Sequence, residues 1–287
     1  MHTAEVPEAQ QPQAGNTPVL LPWSLDDIPF SDAATAGIRG EAVWFHVLAA
    51  ASFVETDTPN YTALLLRHFE DHAGARQWLR EHWLPEEVQH GRALRRYVEQ
   101  VWPEFDWPRA YADFSARYAQ VTNEAHLETD RGLEMVARCV VEVGTSTFYT
   151  ALANRSPDPV LRMLCHRIAQ DEVRHYTYFL RFFEDYAARH PYRRWSILRT
   201  EWRRAAEVER EDMVIATASA GLGLPAGHPL AQADYAAVRH AATALLRETY
   251  PARMGVIMLL KPLHLGHPLR RALVPVLSRA AILMLRR

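Results

Sequence analysis

Apolar positions along this chain recur at a helical period almost throughout, and no alternating strand run or hairpin dipeptide interrupts them. Ser31 and Asp32 can cap a first helix that runs through GEAVWFHVLAAASFVET and, past an expected kink at Pro59, into NYTALLLRHF. A second helix is expected over about 76–101, with Pro85 inside it and Pro103 just beyond its end. A third runs from near Glu124 to Asn154, and the turn RSPDP leads into a fourth over Val160–Arg189, which stops before Pro191. Three or four shorter helices follow, punctuated by GLGLPAGHP, by Pro251 and by the LGHP around Gly266. Four long helices with a helical C-terminal cover predict an all-α bundle. No linker divides it, so residues 21–287 are expected to form one domain.

Composition narrows the function classes. A chain of 287 residues that is 48% hydrophobic can bury a large core. A net charge of −2 offers no global attraction to nucleic acid. Cys139 and Cys165 form no CxxC pair, which excludes a rubredoxin-like or zinc-ribbon module and suits a reduced, cytoplasmic protein. The polar, Pro/Gln-rich residues 1–20 read as a disordered tail without the basic and apolar regions of a signal peptide. No stretch is long and apolar enough for a membrane span.

Two Glu-x-x-His motifs carry the candidate chemistry, Glu87–His90 in the second helix and Glu172–His175 in the fourth. Positions i and i+3 project from one helix face, so each motif aims a carboxylate and an imidazole at one point. One such motif means little; two on separate long helices are far less accidental. Glu55 and Glu142 lie within apolar runs of the other two helices. A buried carboxylate requires a compensating partner, either a metal or a nearby cation such as Arg138 for Glu142. The four glutamates are spaced by 32, 55 and 30 residues, which suits two helix hairpins joined by a longer crossover. Glu, ExxH, Glu, ExxH is the ligand order of ferritin-like di-iron or di-manganese carboxylate proteins. Four carboxylates balance two divalent cations, and the choice falls on two iron ions, Fe2+ or Fe3+, with manganese as the alternative.

The wording around these residues resembles the soluble acyl-ACP desaturase family. WLPEEVQHG (83–91) is similar to its W-x-x-E-E-x-x-H-G segment and QDEVRH (170–175) to its D-E-x-R-H segment. Glu55 followed by Pro59 and Tyr61, and Glu142 followed by Thr145, match two further patterns. PWSLDDIPF, with Trp23, is a fainter match, and the resemblance spans roughly residues 20–190.

That resemblance implies a ferritin-like four-helix bundle with additional C-terminal helices. Glu55, Glu87, His90, Glu142, Glu172 and His175 are then the metal ligands. Thr145 would face the oxygen site, and Asp171 would orient a ligand histidine, connected to Trp23. Glu86 is expected on another face, as a surface acid or one behind the ligands without a catalytic role. The implied activity is O2-dependent removal of hydrogens from an acyl chain carried by acyl carrier protein or coenzyme A. Electrons would come from a ferredoxin-like donor, and the assembly would be a homodimer. Hydroxylation or N-oxygenation of a small metabolite, and a ferroxidase role, are the alternatives on the same ligands. Leu94 occupies the place of the radical tyrosine of a ribonucleotide reductase small subunit. Ile168 stands where a ferritin-like N-oxygenase carries an extra histidine. The basic helix Tyr192–Arg204 suits either docking of an acidic carrier or a solvated face. The C-terminal PLRRALVPVLSRAAILMLRR is expected in core packing, with membrane contact or dimerisation as the less favoured roles.

Overall fold

A computed structural model describes residues 21–121, 126–207, 211–232 and 234–285. The expected N-terminal tail and the expected helix start at Glu124 lie outside them. Among the described residues there are eleven α-helices and no strand, an all-α helical bundle.

The long helices are α1 (Ala42–His68), α3 (Leu84–Val101), α5 (Arg131–Arg155) and α6 (Pro159–Arg189). Ser31 and Asp32 do not cap α1; they sit in or beside a separate 3-10 turn, Phe30–Asp32, and the helix begins after Glu41. Pro59 lies inside α1 and cannot donate to the carbonyl of Glu55 one turn earlier. The second expected helix is split. A short α2 (Ala73–Trp78) passes into a π-helical turn, Leu79–Trp83, so Pro85 falls in the first turn of α3, where its missing N–H costs little. α4 (Trp107–Val121) occupies a stretch that the apolar period alone did not separate. α5 begins at Arg131 because the Asp130 carboxylate accepts from the Leu133 amide at 2.9 Å. Asp158 caps α6 in the same way and also accepts the Tyr97 hydroxyl at 2.5 Å, which pins α3 to the start of α6.

Five shorter helices follow instead of three or four: α7 (Arg194–Glu207), α8 (Glu211–Leu222), α9 (Tyr235–Arg247), α10 (Ala252–Leu259) and α11 (His267–Met284). α8 and α9 lie on α1, α7 and α10 lie on α5, and α11 packs on α10. Of α11 only Val274 is buried, with Leu273 half-buried beside it, so core packing engages one side of that helix and leaves an exposed side.

α1 packs against α3, α5 against α6, and α3 against α6. Two apolar clusters fill the bundle. One holds Phe45 and Phe53 of α1, Leu94 and Tyr97 of α3, Leu152 of α5 and Leu164 of α6. The other holds Leu65 of α1, Trp83 before α3, Met135 and Cys139 of α5, and Phe179 and Phe183 of α6. α1 and α6 therefore run one way along the bundle, α3 and α5 the other. Every expected ligand falls in the layer between the two clusters.

At that layer α3 comes very close to α1. A methyl group on Gly91 would stand 2.8 Å from the Thr56 amide nitrogen and 3.0 Å from its Cα, both backbone atoms. The glycine thus sets the separation of two helices beside Glu55 and His90. Gly91→Ala is expected to lower folding stability by about 1–3 kcal/mol, as overpacking does. Urea denaturation of the metal-free protein measures it, and an unchanged midpoint would show that the helices can part freely.

Candidate metal centre

Glu55, Glu87, His90, Glu142, Glu172 and His175 all come together, and all are buried. They form two overlapping groups. Ligating atoms of Glu55, Glu87, His90 and Glu172 lie within 4.8 Å of one another, as do those of Glu87, Glu142, Glu172 and His175. Glu87 and Glu172 belong to both groups, so two ions held there would share two carboxylates. The i, i+3 geometry of each Glu-x-x-His motif is what brings one imidazole to each position.

Each histidine points one nitrogen inward and binds the other from behind. His90 Nε2 lies 2.9 Å from Asp171 Oδ2, and His175 Nε2 lies 2.9 Å from Glu86 Oε2. A carboxylate can only accept, so both Nε2 atoms carry the proton and both Nδ1 atoms are left to face the cluster. Those two Nδ1 atoms are buried 3.2 Å from Glu172 Oε1 and 3.0 Å from Glu87 Oε1, so either a proton or a cation must stand between nitrogen and carboxylate. With those protons gone, two imidazole lone pairs and the carboxylate oxygens converge on a pair of points and fit divalent cations, and the hard, oxygen-rich donor set with two imidazoles fits iron or manganese.

The electrostatics of the metal-free cluster are correspondingly tense. Burial pushes the Glu142 carboxyl up to about 8, with the neighbouring Glu172 charge adding to it. Burial and the Glu172 and Glu55 carboxylates also push Glu87 well above its ordinary range. Burial would raise Glu172 too, but the His90 hydrogen bond and the charge on His175 pull it down to about 2. Burial alone would lower both imidazoles; hydrogen bonds to Asp171 and Glu172 at His90, and to Glu142 and Glu86 at His175, hold them well above 6.5 instead. Without metal, protons on the histidines compensate the carboxylates.

Asp171 accepts from the Trp23 indole at 2.7 Å as well as from His90, and the Trp23 ring stacks on His90 at 8° between planes. Arg174 reaches both backing acids, Asp171 at 2.6 Å and Glu86 at 2.9 Å. Glu86 is therefore buried behind His175 and is not a surface acid. Thr145 Oγ1 lies 2.6 Å from Glu172 Oε2, closer than the carbonyls of Val141 and Glu142 at 3.2 and 3.3 Å. Its one proton goes to the carboxylate by distance. Arg138 pairs with Glu134 at 2.8 Å, which leaves Glu142 to the cluster.

Sequence reasoning missed Tyr149, whose hydroxyl donates to Glu55 Oε1 at 2.5 Å. A signal existed: Tyr149 stands seven residues after Glu142 and so shares its helix face. Trp78 and Trp83 pack nearly perpendicular to the His175 ring, with centroids 5.9 and 6.3 Å away.

A sequence model of one family, described as fatty acid desaturase, matches residues 32–200, more than half of the chain and all six clustered residues. No curated protein matches the chain.

Tyr149→Phe keeps the ring packing and removes the donor to Glu55. The metal-free variant is expected to lose about 1.5–3 kcal/mol of folding stability, the range for a hydrogen bond to a charged group. Chemical denaturation reads it, and a loss near zero would mean that another donor replaces the phenol.

Proposed function

The chain belongs to the fatty acid desaturase family, and on that premise we propose that it is a di-iron oxidoreductase of the acyl-ACP desaturase type on a ferritin-like bundle. The observation that carries this reading is the pair of four-residue groups sharing Glu87 and Glu172, each completed by an imidazole anchored from behind. Glu55 and His90 would complete one iron position, Glu142 and His175 the other. Two iron ions there would supply the reduction of dioxygen and the oxidising power to take two hydrogens from an unactivated C–H pair.

The chain's own residues prepare that chemistry. Asp171 and Glu86 fix the tautomer and direction of the two imidazoles, and Arg174 holds both acids in place. Tyr149 occupies one oxygen of Glu55, which leaves the other toward the cluster. Thr145 holds its hydroxyl proton on Glu172 Oε2, at the edge of the cluster. The two apolar clusters on either side exclude water. The acyl chain is proposed to arrive on acyl carrier protein or coenzyme A, electrons from a ferredoxin-like protein, and the active species to be a homodimer. Among the described residues no helix is long and apolar enough to cross a membrane.

The reading is tested by a single turnover of the diferrous protein with O2 and acyl thioesters, followed by mass spectrometry. Loss of two hydrogens is expected. Gain of one oxygen would make the protein a hydroxylase, and ferric mineral without a changed thioester would make it an iron-handling protein.

Ligand sharing gives a second expectation. Glu172→Ala removes a donor from both groups and should reduce iron at both positions, whereas Glu142→Ala should leave up to one ion per chain; equal loss in both variants would contradict the sharing. A third concerns protons. Below about 8 the Glu142 carboxyl is protonated and competes with metal, so Fe2+ loading at neutral pH should release protons and its affinity should rise with pH toward that value. Titration calorimetry in buffers of different ionisation enthalpy measures the release, and a pH-independent affinity would refute it.

A further inference from the structure

Of the eight tryptophans, six are buried and two, Trp195 and Trp202 of α7, are each 74% exposed. They stand seven residues apart on one helix face, with exposed Leu198 between them and exposed Arg193 and Arg199 beside them. The opposite face of α7 is buried through Ile197, Thr200, Glu201 and Arg204. α7 is joined to the loop before α11 by Arg194, whose guanidinium donates to the carbonyls of Leu263 and His264 at 3.0 and 3.2 Å. On α11, Leu269, Val276 and Leu283 repeat every seven residues and are 50%, 62% and 57% exposed, one apolar stripe turned away from the protein.

Charge singles out the occupant. Residues 249–287 hold seven basic and no acidic residues; α7 carries four arginines against two acids, Glu201, which is buried, and Glu207 at its last position. The whole chain is nevertheless at −2, so positive charge is concentrated where the apolar side chains protrude. A second copy meeting this face would oppose arginine with arginine. Tryptophans and aliphatic side chains projecting between arginines match the boundary between lipid headgroups and acyl chains instead.

We propose that α7 and α11 form a docking surface for an anionic lipid bilayer, on which the protein rests without spanning it. The arginines would sit among anionic headgroups and the two tryptophans just beneath them. This surface does not depend on what the buried cluster binds, and its test needs no turnover.

The full chain is mixed with vesicles of phosphatidylcholine alone or phosphatidylcholine with phosphatidylglycerol, and binding is read by co-sedimentation and tryptophan emission. Binding at least about tenfold tighter to the anionic vesicles is expected, weakening as salt is added. Emission should shift to the blue, because the two exposed tryptophans leave water. Trp195→Ala with Trp202→Ala should weaken binding by about tenfold and abolish the shift, while circular dichroism stays unchanged. Arg199→Glu should weaken binding without abolishing the shift at high vesicle concentration. Equal affinity for both vesicle types, or undiminished binding by the double variant, overturns the proposal. So does binding of an acidic carrier protein or self-association through these residues in the absence of vesicle binding.

Discussion

Six ionisable side chains occupy a layer from which water is largely excluded, and the rest of the bundle is organised around that fact. Glu55, Glu87, Glu142 and Glu172 repel one another at distances where low polarisability magnifies the repulsion. In the metal-free state the conflict is relieved by protons: the imidazoles stay charged and Glu87 and Glu142 hold on to theirs. Divalent cations would relieve it more completely, since each would neutralise two carboxylates and take the place of the protons on the two Nδ1 atoms. A layer that is strained when empty and would be balanced when loaded has the electrostatics a binding site for two divalent cations requires.

Holding that layer in register is the work of a second ring of contacts. The arrangement is nearly symmetric, with Asp171 behind His90, Glu86 behind His175 and Arg174 touching both acids. Each backing acid comes from the helix that carries the other histidine: Asp171 from α6 supports His90 of α3, and Glu86 from α3 supports His175 of α6. The two Glu-x-x-His helices therefore orient each other's ligands, and neither imidazole is set by its own helix alone. Trp23 adds the N-terminal segment to this ring, and Gly91 lets α1 approach closely enough to bring Glu55 in.

The proposed functions fall in two regions of the molecule. The mid-bundle layer, within the stretch matched to the desaturase family, would carry the chemistry. The match ends within α7; the residues beyond it supply cover for α1 and α5 and the outward apolar stripe of α11, while the exposed Trp195 and Leu198 of α7 fall inside it.

Much of this was legible in the residues. Helical period, proline positions and the RSPDP turn located both ends of α6 and the C-terminal ends of α3 and α5 to within a residue, because those signals are local, whereas α3 and α5 start eight and seven residues later than expected. The six candidate ligands followed from the i, i+3 motifs and from two glutamates stranded in apolar runs. The divided second helix and the start of α1 were not legible, since a π-turn and a 3-10 turn leave no distinct hydrophobic period; α4 was missed although Trp107, Ala110 and Phe114 lie on one helical face. Nor were Tyr149 on Glu55 or Glu86 on His175, which join residues 94 and 89 positions apart. By itself the sequence determined which side chains could bind metal, because one helix dictates what shares its own face. Only the tertiary structure decided which nitrogen of each histidine turns inward and which carboxylates are shared. Those depend on how four helices are rotated against one another, and that rotation is set by packing across the bundle.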